Sequence, residues 1–214
     1  MGLVFAIFSF YIISSSKDRK SKCMCFLLVL FISVLVSGMM VTRYQGQPED
    51  IAALYAAHAV HMALYCLMLA VFVAYLRLTL GLQPRQWRWQ SRCIYIALTL
   101  LALVGVTNPL HRQILTVSPQ TGLETPQSLY PIVSVAVCLI LGLCLYKVVV
   151  QRKRPWQSGV ALGFFCASHI LLVLMQLYVG GGAGTDLTSL FAILVLYAGF
   201  YFEENRKYAQ QEQE

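Results

Sequence analysis

The chain has 214 residues, of which 58% are hydrophobic and only 12% charged, with a mean hydropathy of +0.67. That balance excludes a soluble globular domain of this length and makes the bilayer the solvent for most of the chain. The net charge of +7 lies in short links between apolar runs. It therefore reports orientation in a membrane and excludes a nucleic-acid partner.

Crossing about 30 Å of hydrocarbon takes roughly 20 residues at about 1.5 Å each. The apolar runs at 2–16, 23–42, 51–80, 93–107, 129–149, 157–179 and 186–203 are read as seven transmembrane helices. The first reaches only about 22 Å as a helix, so it is expected to tuck against neighbours or to continue upstream. Neither a basic leading region nor a small-residue cleavage site accompanies it, which argues against a removable signal peptide. The opening Met-Gly is no myristoylation signal, because Ala6 stands where Ser or Thr is required.

Basic residues fix the expected orientation. Lys17, Arg19, Lys20 and Lys22 follow the first run, Arg77, Arg85, Arg88 and Arg92 the third, Lys147 and Arg152 to Arg154 the fifth, and Arg206 and Lys207 the last. The other side holds only Arg43 and Arg112, against Glu49, Asp50, Glu124 and Asp186. The positive-inside rule then puts the N-terminus outside and the C-terminus in the cytoplasm. The seven cysteines all fall in apolar runs or at their cytoplasmic ends, so no structural disulfide is implied. Cys23 and Cys25 are placed for palmitoylation beside lysines, with small-residue packing as the plainer reading.

Among the links, "RYQGQPED" is short and ends in acids where a helix begins. In "RQILTVSPQTGLETPQ" a β-prone run meets Pro119 and Gly122, which predicts a small external hairpin, Gln113–Val117 turning into Leu123–Thr125. Thr107 and Asn108 are expected to end the preceding helix, with Pro109 holding Asn108 out of helical geometry. "GGGAGTD" is a flexible link. After Tyr201, "FEENRKYAQQEQE" is charged and helix-prone, with Glu203 four residues before Lys207. Two domains follow: 1–203 in the membrane and 204–214 as a cytoplasmic signalling-helix linker to an output domain that this chain does not include.

Ionisable groups at membrane depth are costly and are functional candidates by default. "ALYAAHAVHMALY" puts Tyr55, His58, His61 and Tyr65 on one helical stripe. His169, beside Ser168, and Gln176 lie in the run 157–179. Together they are the candidate lining of a pocket for an unknown small-molecule or lipid ligand, or a proton-sensitive switch. The competing reading is that each histidine bonds a backbone carbonyl or hydroxyl and glues helices together. Two histidines at i, i+3 with a distant third permit zinc or haem, yet no carboxylate or cysteine completes a recognisable set, so no metal or cofactor is assigned. There is no paired aspartate, His-Glu-x-x-His or Gly-x-Ser-x-Gly, so no catalytic residue is assigned. The last run has no lysine to form a retinal Schiff base. Asp186, which opens it beside Thr185, reads as an N-cap or as a polar contact at the pocket mouth.

Two stretches carry a family likeness. "LALVGVTNPLHRQI" and "GTDLTSLFAILVLYAGFYF" resemble the N-terminal seven-transmembrane sensor region of bacterial histidine kinases and diguanylate cyclases. The first resembles that family's helix ending in Thr-Asn-Pro-x-His before a hairpin-like loop, and the second its last helix. The resemblance implies a non-catalytic sensor, dimeric in the inner membrane, that passes an external or membrane-borne cue through the last helix to a cytoplasmic enzyme. Its implied signature positions are Thr107, Asn108, Pro109 and His111, with Asp186, Leu187 and Thr188. The short first helix and the missing output domain depart from the family pattern. A small transporter or channel is the alternative, favoured by intramembrane histidines and disfavoured by the lack of an internal repeat.

The expected fold class is therefore an all-α membrane protein: a seven-transmembrane helix bundle, N-terminus outside, with a small external β-hairpin between the fourth and fifth helices.

Overall fold

A computed structural model describes residues 18–151, 156–179 and 185–211, 85% of them helical. In chain order these form α1 (Arg19–Tyr44), a short 3-10 turn (Pro48–Asp50), α2 (Ile51–Leu80), α3 (Pro84–His111), β1 (Leu115–Val117), β2 (Glu124–Pro126), α4 (Leu129–Val150), α5 (Trp156–Val179) and α6 (Thr185–Gln211). Among the described residues, five segments are long and apolar enough to cross a membrane: Arg19–Tyr44, Pro48–Leu80, Trp87–His111, Leu129–Val150 and Ser158–Tyr178. The chain thus has the character of a multi-pass membrane protein. The run 2–16 lies outside the described residues. Of 186–203, only the backbone is described up to Leu190.

Helices are the form these runs must take, because hydrocarbon offers no partner to a free backbone N–H or C=O. Their hydroxyls are satisfied by the same logic. Ser33 donates to Val29 O at 3.0 Å, Thr42 to Gly38 O at 3.1 Å, Thr99 to Tyr95 O at 2.8 Å and Ser134 to Tyr130 O at 3.0 Å. Each hydroxyl rests on the preceding turn of its own helix.

Two compact units form: residues up to Tyr75 with Gln83–Val135, and Leu76–Leu82 with residues from Ala136 onward. In the first, α1 and α2 run antiparallel. The Cys23 thiol near the start of α1 meets Val71 O late in α2 at 3.6 Å, while Val41 and Tyr44 at the end of α1 pack on Leu54 and Tyr55 near the start of α2. Helix α3 is antiparallel to α2 in turn. Gly105 faces Met62, and the Arg112 guanidinium lies 5.9 Å from the centre of the Tyr55 ring. Any side chain at Gly105 would put its Cβ 2.2 Å from Met62 Cγ, so a residue without one lets these helices approach closely. In the second unit α5 packs on α6, with Phe164 and Phe191 edge to face at 5.7 Å.

Strands β1 and β2 pair antiparallel as Leu115↔Pro126, Thr116↔Thr125 and Val117↔Glu124. Backbone bonds from Ser118 to Leu123 and from Gln127 to Ile114 carry the register one step further each way. The hairpin exists between α3 and α4, but its strands begin two residues later than the expected Gln113 and end one later than Thr125. The reason is local: the N–H groups of Gln113 and Ile114 are taken by the side chains of His111 and Asn108, so they are unavailable to a ladder.

Candidate functional site: a hairpin clasped to the helix ends

The site begins with how α3 stops. The expected end at Thr107 and Asn108 is corrected, since the helix continues through Pro109 to His111. A proline inside a helix deprives one carbonyl of its donor, but here only one turn remains before the end. Arg112 closes it in the left-handed region (φ 53°, ψ 31°), with its N–H on Asn108 O at 2.7 Å. This costs a non-glycine residue some strain. It also turns the chain sharply into the hairpin.

Asn108, only 3% exposed, holds that corner. Its Oδ1 accepts from the N–H groups of Ile114 (2.9 Å) and Leu115 (3.4 Å), and its Nδ2 donates to Leu115 O (3.2 Å). One buried amide thereby satisfies three backbone groups just past the helix end, at Ile114 and at Leu115, the first residue of β1. His111 is a second brace. Gln113 N–H donates to its Nδ1 at 3.1 Å, so the proton sits on Nε2, which reaches Val104 O at 3.2 Å. Thr107 is exposed and its hydroxyl returns to Leu103 O at 2.7 Å, a role confined to its own helix. Of the signature positions in this stretch, Asn108 and His111 anchor the hairpin, and Pro109 and Thr107 only shape the helix.

The hairpin is then fastened to α2. The Tyr55 hydroxyl oxygen accepts from Val117 N–H at 3.1 Å, and Leu54, Tyr55 and Val117 form a buried cluster with Val41, Tyr44, Ile51 and Leu115 against it. His58, about 10 Å along the axis from Ile51, places Nε2 2.6 Å from Glu124 Oε1, each side chain about one-fifth exposed (20% and 19%). A carboxylate oxygen accepts, so His58 donates from Nε2. At the hairpin tip, Gly46 N–H donates to Gly122 O at 3.0 Å. Gly122 has φ +65°, and a Cβ there would lie 2.6 Å from Gln47 N. Only glycine fits that contact. The hairpin thus closes over one end of α1, α2 and α3, held by side chains at both of its strands and by backbone at its tip.

The expected stripe on α2 divides. Tyr55 and His58 face the hairpin, whereas His61 Nδ1 lies 3.0 Å from Ser37 Oγ of α1. Ser37 donates to Val34 O at 2.8 Å, which leaves its oxygen to accept from His61. That is the helix-gluing role weighed for the histidines. Tyr65 is half-buried further along α2. In the second unit His169 is buried, stacked on Phe165 at 4.2 Å, and donates from Nδ1 to Phe165 O at 2.9 Å, a carbonyl that Ser168 also uses. Gln176 is half-buried on α5. The side chains of Asp186, Leu187 and Thr188 lie outside the described residues, though their backbone forms the first turn of α6. Helix α6 runs unbroken past Glu203, whose carboxylate accepts from the buried Ser158 hydroxyl of α5.

Glu124 was not singled out by sequence reasoning beyond its place on the acidic side. The signal was available, because it is the only acid between Asp50 and Asp186. Chemically, the arrangement offers one histidine–carboxylate pair, a tyrosine hydroxyl and a guanidinium at the helix ends. Among the described residues no three of His, Cys, Asp and Glu gather as metal ligands.

Compared with family models, with curated proteins and with solved structures, the chain matches none.

Proposed function

We propose that this chain is the transmembrane sensor, or input, module of a bacterial signalling receptor. In this reading it is a seven-helix bundle of the inner membrane with an outside N-terminus. It takes up an external or membrane-borne cue under the hairpin and passes the change through α6 to a cytoplasmic output domain such as a histidine kinase or diguanylate cyclase. It works as a homodimer and does no chemistry itself. The observation that carries the reading is the clasp: a hairpin fastened across helix ends by His58–Glu124 and Tyr55–Val117, contacts that a ligand can compete for and so bias helix packing.

Sidedness is supported by charge. In the unit that holds the hairpin, Arg19, Lys20, Lys22, Arg88 and Arg92 belong to the N-terminal turns of α1 and α3, at the end away from the hairpin, while Glu49, Asp50 and Glu124 are on the hairpin's end. By the positive-inside rule the hairpin then faces outward. The resemblance of "LALVGVTNPLHRQI" and "GTDLTSLFAILVLYAGFYF" to the sensor family supports the same reading, as does the unbroken α6 with Glu203 tied to Ser158. His58, Tyr55 and Glu124 are the ligand-facing residues in this account. His61 and His169 have local partners that favour a packing role.

The test fuses this chain in frame to the catalytic half of a histidine kinase and measures autophosphorylation in membranes. Cutting the clasp by His58→Ala or Glu124→Ala should each shift output by roughly fivefold or more, the scale of ordinary allosteric coupling, and the double substitution should shift it no further. Unchanged output from folded, membrane-inserted variants overturns the sensor reading. A small proton-coupled transporter or channel is the second reading, favoured by a titratable His58–Glu124 pair at the mouth of apolar helices. Proton flux in proteoliposomes that is lost in Glu124→Gln would select it.

A further inference from the structure

We propose that the face of α3 carrying Arg88, Trp89 and Arg92 seats the headgroup of an anionic phospholipid. The proposal rests on the membrane-spanning character of the chain and not on the sensor reading. The apolar stretch of α3 runs from Trp87 to His111, and its C-terminal end meets the hairpin, so Arg88–Arg92 form the first turns at the opposite end. That is the depth at which headgroups lie.

The side chains there are arranged for a polar, negatively charged neighbour. Positions 88, 89 and 92 share one helical face. Trp89 is 75% exposed although Trp87, two residues before it, is 2% exposed. The protein covers one indole and leaves the other to its surroundings, which is where an amphipathic ring belongs at a membrane interface. The Arg92 guanidinium stands 6.0 Å from the Trp89 ring centre, so it is held at the ring's depth. Arg88 is exposed beside it. Guanidinium groups suit phosphate because their donors match its oxygens in pairs.

Two further facts fix the occupant. The stripe continues along α3 as Ile96, Leu100 and Leu103, all more than half exposed, so one molecule lying along it meets charge first and then an apolar track the shape of an acyl chain. No acidic residue occurs between Asp50 and Glu124, so α3 carries no carboxylate of its own to neutralise these arginines. A zwitterionic headgroup would bring a cation against these arginines, whereas phosphatidylglycerol brings only the phosphate.

The experiment uses the full chain in nanodiscs containing phosphatidylcholine with either phosphatidylglycerol or phosphatidylcholine brominated on its acyl chains. Tryptophan quenching by the brominated phosphatidylglycerol should exceed that by the brominated phosphatidylcholine at equal mole fraction, and Trp89→Phe should abolish the excess. Arg88→Gln/Arg92→Gln should reduce the preference by roughly 25-fold, since each basic residue near an anionic surface is worth about one factor of five. The control Arg19→Gln/Lys22→Gln, with the same charge removed from α1, should leave most of it. Equal quenching by the two lipids in the unsubstituted chain, or an excess that survives Trp89→Phe, overturns the proposal. A loss as large in the α1 control as in the α3 variant also overturns it, because the attraction would then be diffuse.

Discussion

Nε2 of His58 and Oε1 of Glu124 stand 2.6 Å apart, although 66 positions separate them in the chain. The bond joins the interior face of α2 to the second strand of the hairpin. Both side chains keep about a fifth of their surface in contact with the surroundings, so the pair is neither dry nor fully screened. Removing either partner by His58→Ala or Glu124→Ala should cost about 1–2 kcal/mol after allowing for that exposure. The double substitution should cost little more than the larger single one, leaving a coupling of about 1 kcal/mol. Denaturant unfolding of the four proteins of the cycle in one detergent measures it, and additive losses would show that the pair contributes nothing.

Asn108 and Thr107 are neighbours with opposite prospects. Asn108→Ala leaves the N–H groups of Ile114 and Leu115 and the carbonyl of Leu115 without their side-chain partner in a buried corner, and should cost about 2–3 kcal/mol. Thr107→Val removes an exposed hydroxyl bonded only within α3, and should stay within about 0.5 kcal/mol. Thermal unfolding monitored by tryptophan fluorescence compares the two directly.

A pair of glycines gives a contrast of backbone origin. Gly122→Ala forces a left-handed residue with a Cβ 2.6 Å from Gln47 N, so the tip should leave the link between α1 and α2. Protease cleavage near Thr121 should then accelerate. Gly142→Ala, in the middle of α4 with nothing within 4 Å of its added Cβ, should be neutral or should stabilise by up to about 1 kcal/mol through helix propensity. A Gly122→Ala protein as resistant to protease as the unsubstituted chain would refute the docking of the tip.

Tyr55→Phe keeps the ring under Arg112 and in the apolar cluster with Leu54 and Val117, but removes the acceptor for Val117 N–H. The expected loss is about 1 kcal/mol. Hydrogen exchange localises it: the Val117 amide should exchange roughly fivefold faster, as one lost bond of that size implies, while amides in the middle of α2 stay protected.

The chemistry of Arg112, Asn108 and the hairpin shows where local sequence reading succeeds and where it fails. Pro119 and Gly122 in a β-prone stretch marked a turn, and a turn lies between Ser118 and Leu123. Thr-Asn-Pro marked a helix end, and the end came one turn later, because a proline so near the terminus leaves only one carbonyl without its donor and the side chains of Asn108 and His111 repair the corner. Such repair depends on residues six and seven positions apart that meet only after the chain has turned, so no periodicity reports it.

The helical spacing of Tyr55, His58, His61 and Tyr65, in steps of three, three and four, likewise said that they share a face of α2, and nothing about what lies against each part of it. Helix α1 covers His61 with Ser37, and the hairpin covers Tyr55 and His58, so residues alike in pattern differ in role.

What the sequence by itself determined is everything that follows from the solvent: a run of roughly 20 mostly apolar side chains must be helical in hydrocarbon, because only a helix satisfies its own backbone there. That is why the five apolar segments found as helices lay within or close to the runs read from composition. What only the tertiary structure decided is the choice of partners. Glu124, alone among acids for a long stretch on either side, bonds His58 because the folded hairpin carries it across the end of α2. The energy of that contact is defined by distance in space, and distance along the chain carries no record of it.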